Sequence, residues 1–303
     1  MTPADAPRRS AITTRRALVH GLALAALVGL PPVVAPRSGP AILAPTLVHA
    51  QGAGAPAAAR QAAPPPIRRM PDGKPDLSGV FQAAAPGSNQ GLEPHEAVPN
   101  TPGGRGYIVD PPDGRLPYQP WARAENDARS KPERGYDDPT AHCFPAGVPR
   151  SFYVPSPFQI LQPPGYVLFL YERMWWRSVP LDGRPHIPDA IRLWQGDSVG
   201  RWDGDTLVVD TANLNGRAWL DELGGVVTHA ARVVERLTAT DGDTIRYEAT
   251  VTDPNVFTRP WTLRMDLRRM STELLEVACL EDDQDLQHLK DVRDEARRKQ
   301  QQP

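Results

Sequence analysis

From residue 232 onward, apolar and polar residues change places at nearly every step, and this alternation constrains the fold more than any other feature. Ile245, Tyr247, Ala249 and Val251 interleave with Arg246, Glu248 and Thr250, and Leu263, Met265 and Leu267 with Arg264, Asp266 and Arg268. Period two with one polar face is the mark of a half-buried antiparallel strand. Asp241-Gly242, between Arg232–Thr240 and Thr244–Thr252, predicts a hairpin turn. Trp202-Asp203-Gly204-Asp205 predicts another, leading into Thr206–Thr211. Asp76–Phe81, Tyr166–Tyr171, Trp175–Leu181 (closed by Asp182-Gly183) and Leu274–Cys279 supply further strands. The expectation is a mainly β chain: an antiparallel meander of about eight or nine strands closed into a barrel, which hides its edges and at this size can enclose one ligand. A flat two-sheet sandwich is the alternative.

Proline explains what the alternation does not cover. Eighteen of the 35 prolines fall between residues 51 and 150. Residues 51–70, rich in Ala, Pro and Gln, are expected to be a disordered tether, and 83–150 to be long irregular loops at the front of one domain spanning 71–280. The charged tail 281–303 reads as a frayed helix with Leu286 and Leu289 on one side.

Residues 1–50 read as an export signal rather than as part of the fold. Five arginines against Asp5 give this segment +4, so its removal takes the chain from −2 to −6. Arg15-Arg16 stands directly before the apolar run Ala17–Leu30, as in twin-arginine signals, and Val48-His49-Ala50 offers a cleavage site. No later stretch is apolar for long enough to span a bilayer. The mature chain is thus expected in the periplasm or secreted, its partners being the export machinery and a small molecule. Its acidic balance argues against nucleic acid. An oxidising compartment makes a Cys143–Cys279 disulfide the expectation for the two cysteines. No dinucleotide, Walker, haem-attachment or zinc-protease motif occurs, so no cofactor is expected.

Three motifs carry a resemblance. Asp72–Phe81 (DGKPDLSGVF), Cys143–Arg150 (CFPAGVPR) and Gly196–Thr211 (GDSVGRWDGDTLVVDT), with Val234-Glu235-Arg236 and Arg259–Thr262, resemble a broad, mostly uncharacterised group of exported bacterial proteins. The likeness runs over most of 71–280. It implies export and a lipocalin-like barrel, and Leu77–Phe81 is loosely similar to the Gly-x-Trp opening of such barrels, with Phe for Trp. It carries no activity. Members often read Ala-Cys-His-Glu near the end, where this chain has Ala278-Cys279-Leu280-Glu281.

Among groups able to do chemistry, the Pro-fixed loop Asp182–Asp189 presents His186 and Asp189 three residues apart. Imidazole is the natural acid–base group near neutrality, and a carboxylate beside it fixes its tautomer. Asp197, Asp210, Asp221 and His229 are candidates to converge on the same barrel mouth, with Tyr171 or Glu172 as a proton partner. Trp175, Trp176, Trp194, Trp202, Trp219 and Trp261 suit the wall of a cavity for an apolar ligand, although some must fill the core. On a strand, one of the adjacent pair Trp175 and Trp176 faces in and the other out. Arg150, Arg173 and Arg184 are read as solvated or in ordinary ion pairs, with carboxylate capture as the alternative. A metal site from His186, Asp189 and His229 is weakly supported. His142 and Ser198 mimic a serine-protease pair, but only 56 positions separate them and Val199 replaces the second glycine of the oxyanion turn.

Two functions follow. One is a cofactor-independent lyase, isomerase or hydrolase. Its catalytic residues would be His186, Asp189, Asp197 and His229, and its small apolar substrate would be held by Tyr171, Trp176, Arg184, Trp194 and Trp202. The other is a carrier with the same cavity and no catalysis.

Overall fold

The computed structural model describes residues 63–97, 103–281 and 284–302. The expected signal and most of the tether lie outside the described residues. The last tether residues, 63–70, line the barrel: Gly242 N donates to Pro65 O at 2.7 Å, and Arg69 pairs with Asp205.

Nine strands form one continuous antiparallel sheet: β1 (Gly79–Ala83), β3 (Phe158–Leu161), β4 (Tyr166–Tyr171), β5 (Trp176–Pro180), β6 (Asp197–Asp203), β7 (Thr206–Ala212), β8 (Arg232–Ala239), β9 (Thr244–Thr252) and β10 (Trp261–Arg269). Their order is β5-β4-β3-β1-β10-β9-β8-β7-β6, and a short β2 (Ile108–Asp110) pairs with β10 beside β1. The ends of this path, β5 and β6, lie against one another, so the barrel is nearly closed. At that seam a Cβ on Gly200 would sit 2.7 Å from Val179 Cγ1, so only glycine fits there.

The alternation does what the sequence implies. Val233, Leu237, Ile245, Tyr247, Ala249, Val251, Leu263 and Leu267 point inward and are buried. Gly204, with φ +57°, turns the β6–β7 hairpin. The interior is filled rather than hollow: Phe152 meets Phe158, Phe169 and Tyr247 at ring-centre distances of 4.7–5.0 Å. Phe152 comes from a short 3-10 turn, Arg150–Phe152, and plugs the barrel head.

Several expectations are corrected. Leu274–Cys279 is not a strand; β10 already pairs with β9 on one edge and with β1 and β2 on the other, so no edge remains for it. Asp182-Gly183 opens a long connection instead of closing a hairpin, because β5 pairs only with β4. The loop-rich front contains a helix, α1 (Pro120–Arg129), with proline at its first turn, where the missing N–H costs nothing. The tail, by contrast, is helical as the sequence reads: α2 (Gln284–Gln300) leans on the 3-10 turn Pro132–Asp137, with Arg293 3.9 Å over the Tyr136 ring.

Candidate functional site

His186 lies on the outer wall of the barrel. Asp197 and Asp210 are on the outward faces of β6 and β7, as their register opposite Ala212 and Val199 requires. The β5–β6 connection lays His186 across them. Its Nδ1 is 2.8 Å from Asp197 Oδ2, and Ile187 N donates to the same oxygen at 3.2 Å. Its Nε2 is buried without a hydrogen bond, 3.8 Å from Asp210 Oδ1. Arg232 binds Asp210 through two nitrogens and holds that carboxyl below its ordinary range, against the opposing effect of burial. A catalytic imidazole needs one nitrogen open to substrate; here both face the barrel wall.

The other predicted residues are scattered. Asp189 is exposed and has no hydrogen-bond partner among the described residues. His229 is exposed and is held only through its backbone carbonyl, by Arg192. Trp194 stacks on Phe144 at 4.8 Å, and Trp202 packs on the core beneath Lys74. Arg184 is paired with Asp182 on the surface, and Trp176 is 64% exposed. Tyr171 is buried in the barrel with no partner for its hydroxyl, whose pKa burial pushes up. Ser198 bonds Thr211 inside the wall, far in contacts from His142, which bonds Tyr136 O. Among the described residues no cluster of three His, Cys, Asp or Glu could hold a metal ion.

A cavity of about 690 Å³ lies at the barrel head. The β4–β5 turn supplies Arg173 and Trp175, the front loops Asn89 and Asp138, the segment before β3 Val154, the β7–β8 connection Glu222, and the C-terminal segment Val277 to Cys279 and Leu289. The disulfide Cys143–Cys279 ties this last segment to the 3-10 turn Pro139–His142. Met174, with φ +70°, makes the tight turn that points Trp175 inward and leaves Trp176 outside.

A polar chain runs along the cavity wall, buried at Arg150, Asp138 and Asn89 and exposed at Glu222. Arg150, expected to be solvated or in an ordinary ion pair, is 1% exposed and binds Asp138 bidentately at 2.8 and 3.0 Å, while its Nε donates to Asn89 Oδ1 at 2.9 Å. Asn89 Nδ2 in turn donates to Glu222 Oε1 at 2.5 Å. Desolvation raises the Glu222 carboxyl, and burial raises the neighbouring Asp221 to about 6 despite backbone N–H bonds from Gly225 and Leu92. Deeper still, Arg177 and Glu235 form a bidentate pair inside the barrel, with Tyr247 donating to Glu235 and Phe152 and Phe169 flanking the guanidinium.

Asn89, Asp138, Arg173 and Glu222 belong to segments far apart in the sequence and carry no motif of their own. The sequence touches this region through Arg173, read with carboxylate capture as the alternative, through Trp175 as a cavity wall, and through CFPAGVPR, which contains Arg150. No protein-family model, curated protein or solved structure matches this chain.

Proposed function

We propose that this protein binds a small, largely apolar molecule in the cavity at the barrel head, as a carrier or receptor without catalysis. The observation that carries the reading is the separation of the two features an enzyme would combine. The ordered imidazole–carboxylate pair, His186–Asp197, is packed on the outer wall, whereas the cavity is at the head and His186 does not line it. His288 does line the cavity, but it has no hydrogen-bond partner among the described residues, so no carboxylate fixes its tautomer. The cavity has the size and mixed lining of a small-molecule site. The Cys143–Cys279 bond supports an oxidising compartment, periplasmic or extracellular, in line with the export resemblance, and among the described residues no helix is long and apolar enough to cross a membrane.

The test is native mass spectrometry of the chain against a panel of small apolar compounds, for wild type, His186→Ala and the cavity-filling variant Leu289→Trp. Binding by the first two and at least tenfold weaker binding by the third are expected. Consumption of a compound by wild type but not by His186→Ala would restore the acid–base reading.

A further inference from the structure

We infer that the ligand of the barrel-head cavity is a zwitterion with an apolar body, of the class of hydrophobic amino acids and short peptides. The inference rests on the reading of this cavity as the binding site and deepens it.

The charges lining the cavity fall into two groups. Asp138 is already neutralised by the bidentate Arg150. Among the described residues Arg173 and Glu222 make no ion-pair contact, although Arg150 and Arg173 both act on Glu222 through space. The Arg173 guanidinium reaches only the Ser156 hydroxyl, at 3.5 Å, and among the described residues it has no carboxylate within ion-pairing distance. Glu222 spends one oxygen on Asn89 and leaves the other without a partner. Both line the same cavity without touching each other. The Trp175 indole N–H, two residues from Arg173, is also buried without an acceptor. Two further acids, Glu281 and Asp285, lie on the exposed rim.

Ligand class follows from what each candidate would leave behind. A neutral apolar molecule would strip water from both charges and compensate neither, which is costly. A simple carboxylic acid would satisfy Arg173 but meet Glu222 and the acidic rim, and a simple amine would satisfy Glu222 but leave Arg173 desolvated. A molecule carrying both a carboxylate and an ammonium answers both: the carboxylate takes the planar Arg173 fork, with Trp175 as a further donor, and the ammonium takes Glu222. Val154, Val277 and Leu289 then face its apolar side chains.

Calorimetric titration of the whole chain with leucine, leucyl-phenylalanine and leucyl-phenylalanyl-leucine tests this, each in free, N-acetylated and C-amidated form. At least one free form is expected to bind, and each blocked form to bind at least tenfold more weakly. Arg173→Gln should erase the preference for the free acid over the amide while keeping the preference for the free amine; Glu222→Gln should do the reverse. This crossed pattern is one that a merely structural role for either residue would not produce. Equal binding of all three forms would overturn the inference. So would failure of every form to bind while other apolar compounds bind and lose affinity in Leu289→Trp; that result leaves the cavity reading standing. If no compound binds in the cavity, the binding function itself fails and the inference with it.

Discussion

His186 Nδ1 and Asp197 Oδ2 are 2.8 Å apart on the outside of the barrel, so the most catalytic-looking pair in the chain serves to fasten a loop. Asp197 accepts from both the imidazole and Ile187 N, and Asn213 holds the same loop from beneath through the carbonyls of Ile187, Pro188 and Ile191. His186→Ala and Asp197→Asn are therefore expected to cost about 1–2 kcal/mol of stability each and to couple in a double mutant, because each leaves a half-buried partner unsatisfied. Ligand affinity should stay within twofold. Denaturant melts and titrations of the three variants check this.

Arg177 and Glu235 present a different balance. Both are essentially unexposed, and each depends on the other for its charge. Removing one, as in Glu235→Gln or Arg177→Met, should destabilise the barrel by roughly 3–5 kcal/mol, since it strands a buried charge. Replacing both with apolar residues should recover most of that loss, because the pair's own desolvation cost disappears as well. Chemical denaturation of the two single variants and the double variant reads the difference.

Asp221 gives a pH signature with a definite sign. Its folded pKa, about 6, lies above the ordinary carboxylate value of 3.8, so the folded chain binds its proton more tightly than the unfolded chain does. Stability contributed by this group is greatest at low pH and is lost as pH rises from 3.8 through 6, by on the order of 2–3 kcal/mol. Asp221→Asn cannot titrate. Its stability relative to wild type should rise across that window and level off above about pH 7. A constant difference between the two proteins from pH 4 to 8 would contradict the assignment.

The Cys143–Cys279 bond joins residues 136 apart and holds one wall of the cavity. Reduction, or the paired Cys143→Ser and Cys279→Ser substitutions, should speed amide hydrogen exchange in residues 271–281 and α2 while leaving β6 to β10 protected. Ligand affinity should fall at least tenfold with it. Exchange mass spectrometry with and without reductant measures both.

The second half of the fold is legible because β8 to β10 each show one more open face, and Asp-Gly turns fix the hairpins. Legibility fails where an apolar run has no edge to pair with, as at Leu274–Cys279, and where a turn signal follows a strand that pairs only with its predecessor, as at Asp182-Gly183 after β5. Helix α1 is hidden because Pro120 falls in a proline-rich stretch that reads as loop, although at the first helical position proline is compatible with the helix. The site was less legible than the fold. Sequence proximity linked His186 to Asp189, yet strand geometry delivered Asp197. Arg173 and Asp221 stood out in the sequence, but Arg173 meets Glu222 only because the β4–β5 turn and the β7–β8 connection come to one cavity, which no local pattern encodes. The need of Arg150 for a buried partner was equally invisible, because Asp138 lies in a run of turn-forming acids.

Binding at the barrel head is decided by a crystal structure of the chain with the tightest-binding compound from the panel. Ligand density is expected in the barrel-head cavity between Trp175 and Leu289, with Phe152 still plugging the barrel and His186 still against Asp197. Density inside the barrel, with Phe152 displaced, or density over His186 on the outer wall, would contradict it.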